Sequence, residues 1–453
     1  MRRNEVCVKN RIDMPIFHTA ICFRAKQIAF YGRREIVCTN FSSPLRNKLL
    51  RNEVSMGMGT VLDYLEEYGD YTLAELPFSE VDSLILSQFS YLKFDGLVPG
   101  PEEKKASVCM RELNENADKD KLFADERYRE NNTALFEGML AGKRFGELRL
   151  NNYVNYIDLD KETQFSAVTC FFPDGTVYVA YRGTDETIVG WKEDFNLAFS
   201  EPVPGQLMSV EYLEKTAKTF KGPFLVGGHS KGGNLAVYAA MYCSSKVRGR
   251  IEKIYTHDGP GFRPEVLEKG AFHEIEDRIH KTIPHSSLVG MILFSEVPYH
   301  VVESKKMGVA QHDPYTWLID KESFHFVDEI YSGRKVMDES LNEWILSLTP
   351  EQMRIFVDTL YQVLLASDTD NLIDLTANLP QSLQKIRAAM KQVDEETAGV
   401  ITDIVKLFME KISINAKTYV KNRAEQEREK LEEGLKQLEQ KTKKTKKTME
   451  KLE

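Results

Sequence analysis

The segment Phe224 to Tyr242 reads FLVGGHSKGGNLAVYAAMY. An apolar run meets a pair of glycines, one serine, a second pair of glycines and then a strongly helical stretch. A serine hydroxyl is a poor nucleophile at neutral pH. It becomes a good one when a base takes its proton and the backbone exposes it. A sharp strand-to-helix turn provides the exposure, and it brings neighbouring backbone so close that only small residues fit at i−2 and i+2. Gly228 and Gly232 hold those two places around Ser230. The start of the following helix also aims N–H groups at a developing oxyanion. The spacing predicts a nucleophile elbow with Ser230 at its tip. The plainer reading is a glycine-rich turn with an incidental serine.

A nucleophilic serine needs a base and an acid, each on a loop beyond the C-terminal end of a strand. IEKIYTHDGPGF places Asp258 directly after an apolar strand and before a Gly-Pro-Gly turn. Its plainer role is to cap that turn. Seven histidines follow Ser230. His257 adjoins the acid and points to the other side of an extended segment. His273 and His280 lie in a charged stretch read as helical. His285 and His300 fall at β-like runs, and His325 in SFHFVDEI suits packing at the core edge. His312, in GVAQHDPYTW, follows a strand and a Lys-Gly loop and is taken as the base, with His285 next. Asp313 is read as a cap before Pro314. Two donors are expected for the oxyanion. They are the backbone N–H of Lys231 and the Thr184 of YVAYRGTDETIVGWKEDF, with Arg182 and Asp194 bracing that loop.

These residues need a sheet to position them. YVNYID, TQFSAVTCFF and TVYVAYRG are β-rich runs separated by charged or PDG turns, a meander entering a sheet. Beyond it, strands at 224–226, 251–258 and 297–303 alternate with helical stretches at 208–220 and 234–242. That alternation predicts an α/β sheet with parallel members. Upstream, TVLDYLEE and FSEVDSLILSQFSYL read as helices, the second with Ser79 as N-cap, and residues 101–150 are charged and helical in pattern. From about Leu341 the chain reads as helical. Thr349, Pro350 and Gln352 form an N-cap, first-turn proline and capping-box signature. Past Ala424 a loose heptad sets Ala424, Leu431, Leu438 and Leu452 on one seam and Leu435 and Met449 on its partner, interrupted by Thr442 and Thr445.

The whole chain sets the bounds. Its 453 residues are 42% hydrophobic and 28% charged, ordinary globular material, and a net charge of −9 gives no reason to expect nucleic acid. The uncharged apolar run SSLVGMILFS is far shorter than the ~20 residues of a spanning helix. The cysteines Cys7, Cys22, Cys38, Cys109, Cys170 and Cys243 are scattered with no CxxC pair, which reads as reduced thiols in a cytoplasmic protein with no zinc site. The first 55 residues carry 11 Lys/Arg against 4 Asp/Glu. They are read as a basic arm or as translated upstream sequence preceding a start at Met56 or Met58.

VAYRGTDETIVGWKEDF followed by GGHSKGGNLAVYAA resembles the class-three lipase group of α/β-hydrolases, and more closely the bacterial Mbeg-like family. The runs that carry the resemblance are Arg182 to Asp185, Gly190 to Phe195, Gly228 to Asn234, Asp258 to Phe262 and Gln311 to Pro314. The resemblance covers roughly residues 58–375. It implies a mostly parallel α/β-hydrolase-type sheet flanked by helices, with Ser230 as nucleophile, Thr184 in the oxyanion loop and His312 as base. Class-three lipases usually carry their acid later, in an Asp-x-Val-Pro stretch. The matching region here is TIPHSSLVGM, with Ser286 and Ser287, so the acid is assigned to Asp258. The expected organisation is a leader at 1–57, a lipase-like domain at 58–345, a helical C-terminal extension at 346–415 and a charged helix or weak coiled coil at 416–453.

Two functions are expected to compete. The first is a serine hydrolase of carboxylic esters or acyl lipids that needs no metal or cofactor. The second is a hydrolase scaffold that acts through its helical C-terminus as an interaction or oligomerisation protein. Peripheral contact with a membrane and self-association through the terminal helix are the partner expectations.

Overall fold

The computed structural model describes residues 58–366 and 395–421, apart from 104–106, 127, 159, 185–192, 194, 195, 198–201, 288, 329–331, 396, 405 and 420. The basic leader and the heptad beyond Ala424 lie outside the described residues.

Among the described residues nine strands form one sheet, in sequence order except at its last edge. They are β1 (Val108–Cys109), β2 (Arg149–Asp158), β3 (Thr163–Phe171), β4 (Val177–Tyr181), β5 (Phe224–His229), β6 (Ile251–His257), β7 (Ile279–Pro284), β8 (Tyr299–Val302) and β11 (Phe326–Val327). β2, β3 and β4 pair antiparallel, which is the meander read from the sequence. β4 to β8 are parallel, and the short β1 and β11 close the edges antiparallel. β9 (Ile319–Asp320) and β10 (Ser323–Phe324) form a separate hairpin. The mostly parallel centre, flanked by helices, is the α/β-hydrolase-type arrangement expected.

Successive residues of the central strands face opposite layers, so both faces are apolar. On one face Tyr178, Ala180, Leu225 and Tyr255 pack against α1 (Val61–Tyr68), α2 (Glu80–Phe89) and α3 (Arg129–Ala141). On the other, Val179, Tyr181, Val226 and Ile254 pack against α4 (Pro204–Thr219) and α5 (Lys231–Tyr242). α2 starts where Ser79 accepts from the Asp82 N–H and Asp82 accepts in return from the Ser79 N–H, a capping box. Asp82 also receives two bonds from Arg144, at 2.6 and 2.5 Å. Both side chains are fully buried, and the rest of the guanidinium is spent on the carbonyls of Tyr71, Leu76 and Pro77.

A third apolar cluster joins α6 (Ser332–Ser347), α7 (Pro350–Ala366) and the helical residues after 395 to the sheet through Leu293. Trp344 anchors it, with its indole N–H on the Ile404 carbonyl at 2.9 Å. Thr349 and Gln352 make the reciprocal cap read from the sequence. Among the described residues no helix is long and apolar enough to cross a membrane.

Three element expectations need correction. His280 lies in β7, and His273 in a 3₁₀ turn, where charged residues had suggested a helix. The charge misled because β7 is a buried strand whose one less-buried residue, His280, reaches out to Glu80. α4 begins at Pro204 because the Gln206 side chain accepts from the Val203 N–H, four residues before the apolar periodicity shows. The C-terminal helix begins at Ser332, nine residues ahead of Leu341.

Candidate active site

β5 ends at His229 and α5 begins at Lys231, leaving Ser230 alone at the turn. Its φ of 58° and ψ of −132° are sparsely populated for a residue with a side chain. The glycines explain how the turn closes. A Cβ on Gly228 would run into the backbone of Gly232 and the Tyr181 carbonyl, and one on Gly232 into Tyr181 and Arg182. The Ser230 N–H is held by the His257 carbonyl at 2.9 Å, which ties the turn to the end of β6. Lys231 is the first helical residue, so its N–H has no acceptor within the helix.

Asp258 follows β6 directly and is itself left-handed, with φ 50°. Its carboxylate is fully buried. Oδ2 lies 2.6 Å from His312 Nδ1, while Oδ1 accepts from the Ser287 hydroxyl at 2.5 Å and from the Gly290 N–H at 3.0 Å. A carboxylate on Nδ1–H leaves Nε2 with a lone pair, the tautomer that a general base requires. Lys281, buried on β7, is pushed down to about 8 by desolvation, against the pull of Asp258.

His312 closes a 3₁₀ turn, Gly308–His312, that is pinned on both sides. Gln311 accepts from the Ser286 N–H at 2.6 Å and donates to the Lys306 carbonyl at 2.7 Å. The Trp317 indole donates to the Gln311 carbonyl at 2.8 Å. The residue beside the serine completes the hold. His229 Nε2 donates to the His312 carbonyl at 2.9 Å, and the two imidazoles lie 4.6 Å apart. Burial, aided by His312 and His257, keeps His229 well below the usual imidazole range, so it is neutral there. Tyr91 donates to its other nitrogen at 3.4 Å. Ser230 and Asp258 each stand one residue beyond a parallel strand, and His312 bonds Asp258, so all three lie at the C-terminal edge of the parallel strands. The Ser230 hydroxyl itself makes no hydrogen bond among the described residues.

Thr184 sits two residues beyond Arg182 after β4, half-buried, beside Gly183. A Cβ built on Gly183 would stand 3.1 Å from Ser230 Cβ, so this loop runs along the serine. The Lys231 side chain turns away from the site. Its ammonium is buried and bonds the Glu193 carboxylate at 2.7 Å and the Gln164 carbonyl at 3.0 Å. Glu193 also accepts from the N–H groups of Gln164 and Gly205. Glu193 therefore braces this loop, next to Asp194, which lies outside the described residues together with 185–192. Arg182 is buried and donates to Asn155 at 3.1 Å.

His285, the alternative base, caps the end of β7, with its N–H on the Val302 carbonyl. His257 bonds Ser83 at 2.9 Å on the far side of β6, and His325 pairs with Glu303 at 3.4 Å. Sequence reasoning passed over Ser287, Gly290, Glu193, His229 and Gln311. The signal for Ser287 lay in TIPHSSLVGM, the segment singled out for holding serines where an acid is usual.

Residues 139–362 match the Mbeg1-like family. No curated protein matches the chain. Lipases are among the solved structures to which the chain is similar. The M37 lipase has 15% identity and a TM-score of 0.31, with 47% of this chain and 70% of that one covered. The Lip2 lipase from Yarrowia lipolytica has 14% identity and a TM-score of 0.25, over 38% and 71%. The Rhizomucor miehei lipase propeptide complex has 17% identity and a TM-score of 0.28, over 49% and 75%. The mostly parallel sheet flanked by helices is of the α/β-hydrolase type, and residues 139–362 are similar to the Mbeg1-like family.

Proposed function

We propose that the protein is a serine hydrolase of carboxylic esters, with acyl lipids among its substrates. The observation that carries the proposal is the 2.6 Å contact between the buried Asp258 carboxylate and His312 Nδ1, at the strand edge where the Ser230 turn lies. In this reading His312 Nε2 takes the Ser230 proton as Oγ attacks the ester carbonyl. The tetrahedral oxyanion is held by the Lys231 N–H and by Thr184. His312 then gives the proton to the leaving alcohol, and an acyl-Ser230 ester remains. Water, deprotonated by His312, attacks that ester and releases the acid and the free serine. Asp258 holds the imidazole in the correct tautomer and stabilises its cation. The Ser230–His312 hydrogen bond forms as substrate arrives, since catalytic contacts tighten in the Michaelis complex.

A fluorophosphonate probe tests the reading. It labels the wild-type protein at Ser230 and leaves Ser230→Ala unlabelled, and the same variant loses turnover of p-nitrophenyl esters. Labelling that survives in Ser230→Ala places the nucleophile elsewhere. A wild-type protein that is neither labelled nor active across short and long acyl chains is a scaffold.

A further inference from the structure

The two groups that grip Asp258 Oδ1 come from one short segment, and that segment is itself held by the C-terminal helix. Ser287 donates its hydroxyl, and Gly290, in the 3₁₀ turn Val289–Met291, donates its N–H. A Cβ on Gly290 would collide with Asp258 Oδ1, so the turn lies flush against the carboxylate. Two residues on, Leu293 takes φ 63°, a left-handed conformation unfavourable for a branched-chain residue. Such a conformation persists only when its surroundings impose it.

Asn342, in the middle of α6, supplies that imposition. Its Oδ1 accepts from the Leu293 N–H at 2.7 Å, and its Nδ2 donates to the Met291 carbonyl at 3.0 Å and the Leu293 carbonyl at 3.4 Å. One side-chain amide thus clamps both strands of the turn. The Leu293 side chain is buried with Trp344 and Ile345 of the same helix and with Leu348 just beyond its end. The far side of the segment is tied to the residues after Asp258, by the Gly261 N–H on the Ile292 carbonyl at 2.8 Å and by Phe262 paired with Phe294.

We propose that Asn342 is a positioning residue for the Asp258–His312 pair: by fixing the 291–293 turn it sets the Gly290 and Ser287 donors that aim the carboxylate. The chain Asn342 to Leu293, Gly290, Asp258 and His312 makes α6 part of the site. The kinetic arm of the test rests on the esterase reading; the spectroscopic arm does not.

In the kinetic arm, Asn342→Ala lowers kcat roughly tenfold to a hundredfold with KM unchanged, the size expected when a reacting group shifts by about 1 Å. Asn342→Asp keeps the acceptor for Leu293 but sets a carboxylate oxygen against the Met291 and Leu293 carbonyls, so its loss is at least as large. Because Asn342 acts only through Asp258, the double variant Asp258→Asn/Asn342→Ala is no slower than Asp258→Asn alone. Losses that multiply overturn the proposal. In the spectroscopic arm, the far-downfield imidazole N–H resonance of the His312–Asp258 bond, identified by its absence in His312→Ala, moves upfield or broadens away in Asn342→Asp. A resonance unchanged in that variant overturns the proposal, whether or not the protein turns over esters. If Asn342→Ala does not fold, Asn342→Asp carries both arms.

Discussion

Ser287 Oγ stands 2.5 Å from Asp258 Oδ1. The serine follows β7, where the class-three pattern has its carboxylate, and it donates to a carboxylate that follows β6. Position and chemistry are divided between two residues, and together they present one charged oxygen to His312.

Asp258→Asn is expected to lower kcat by about 10⁴, since it fixes the wrong imidazole tautomer. Ser287→Ala removes one of two bonds to Oδ1, and a single bond to a charged group corresponds to roughly a tenfold to hundredfold loss. Steady-state ester hydrolysis by the two variants checks the order. Equal losses would mean that Ser287, not Asp258, governs the imidazole.

The buried pair Lys231–Glu193 makes a separate prediction. Lys231→Met leaves Glu193 charged, buried and short of its counter-ion, at a cost of about 3–5 kcal/mol in stability. Adding Glu193→Gln recovers part of that loss because the orphan charge disappears. Urea denaturation of the three proteins measures it, and a double variant weaker than Lys231→Met contradicts it.

Acid should destabilise the fold through His257. Burial, reinforced by His280, pushes this imidazole down to about 4 from its ordinary 6.5, and its Nδ1 has no hydrogen-bond partner among the described residues. Between those two values the unfolded chain binds a proton that the native state refuses. The His257 contribution is therefore intact above pH 6.5 and lost as pH falls toward 4, by about 3 kcal/mol in all. His257→Gln, which keeps a donor for Ser83, should show a shallower decline of the urea midpoint between pH 7 and pH 4.5. An identical decline assigns the acid sensitivity to other groups.

The elbow glycines tolerate no side chain. Gly228→Ala and Gly232→Ala are expected to yield little folded protein, whereas Gly222→Ala, where an added methyl meets open space, folds normally. Comparing soluble yield and melting temperature of the three decides it.

The parts of the site written in local sequence were legible. Ser230 lies between glycines at a strand-to-helix change, Asp258 ends a strand, and His312 follows one. The meander 149–181 showed through its β-rich runs separated by charged or PDG turns. What escaped was made by tertiary contact. Ser287 and Gly290 reach Asp258 across 29 and 32 residues, and TIPHSSLVGM marked the segment without saying which of its groups would bond the carboxylate. Glu193 sits in a mixed-charge run where any carboxylate could serve the buried lysine, and the sequence favoured its neighbour Asp194. Asn342 looks like any polar residue on an amphipathic helix until the left-handed turn opposite it is known.

Ser230, Asp258 and Leu293 all hold backbone conformations in which glycine would be at ease. Replacing Ser230 by glycine would relax the chain by ~1 kcal/mol while removing the hydroxyl, whereas Asp258→Gly would also strand the Ser287 and Gly290 donors. At Ser230 endurance and reactivity are opposed, so directed evolution for heat resistance alone would erode the molecule's chemistry from its own centre.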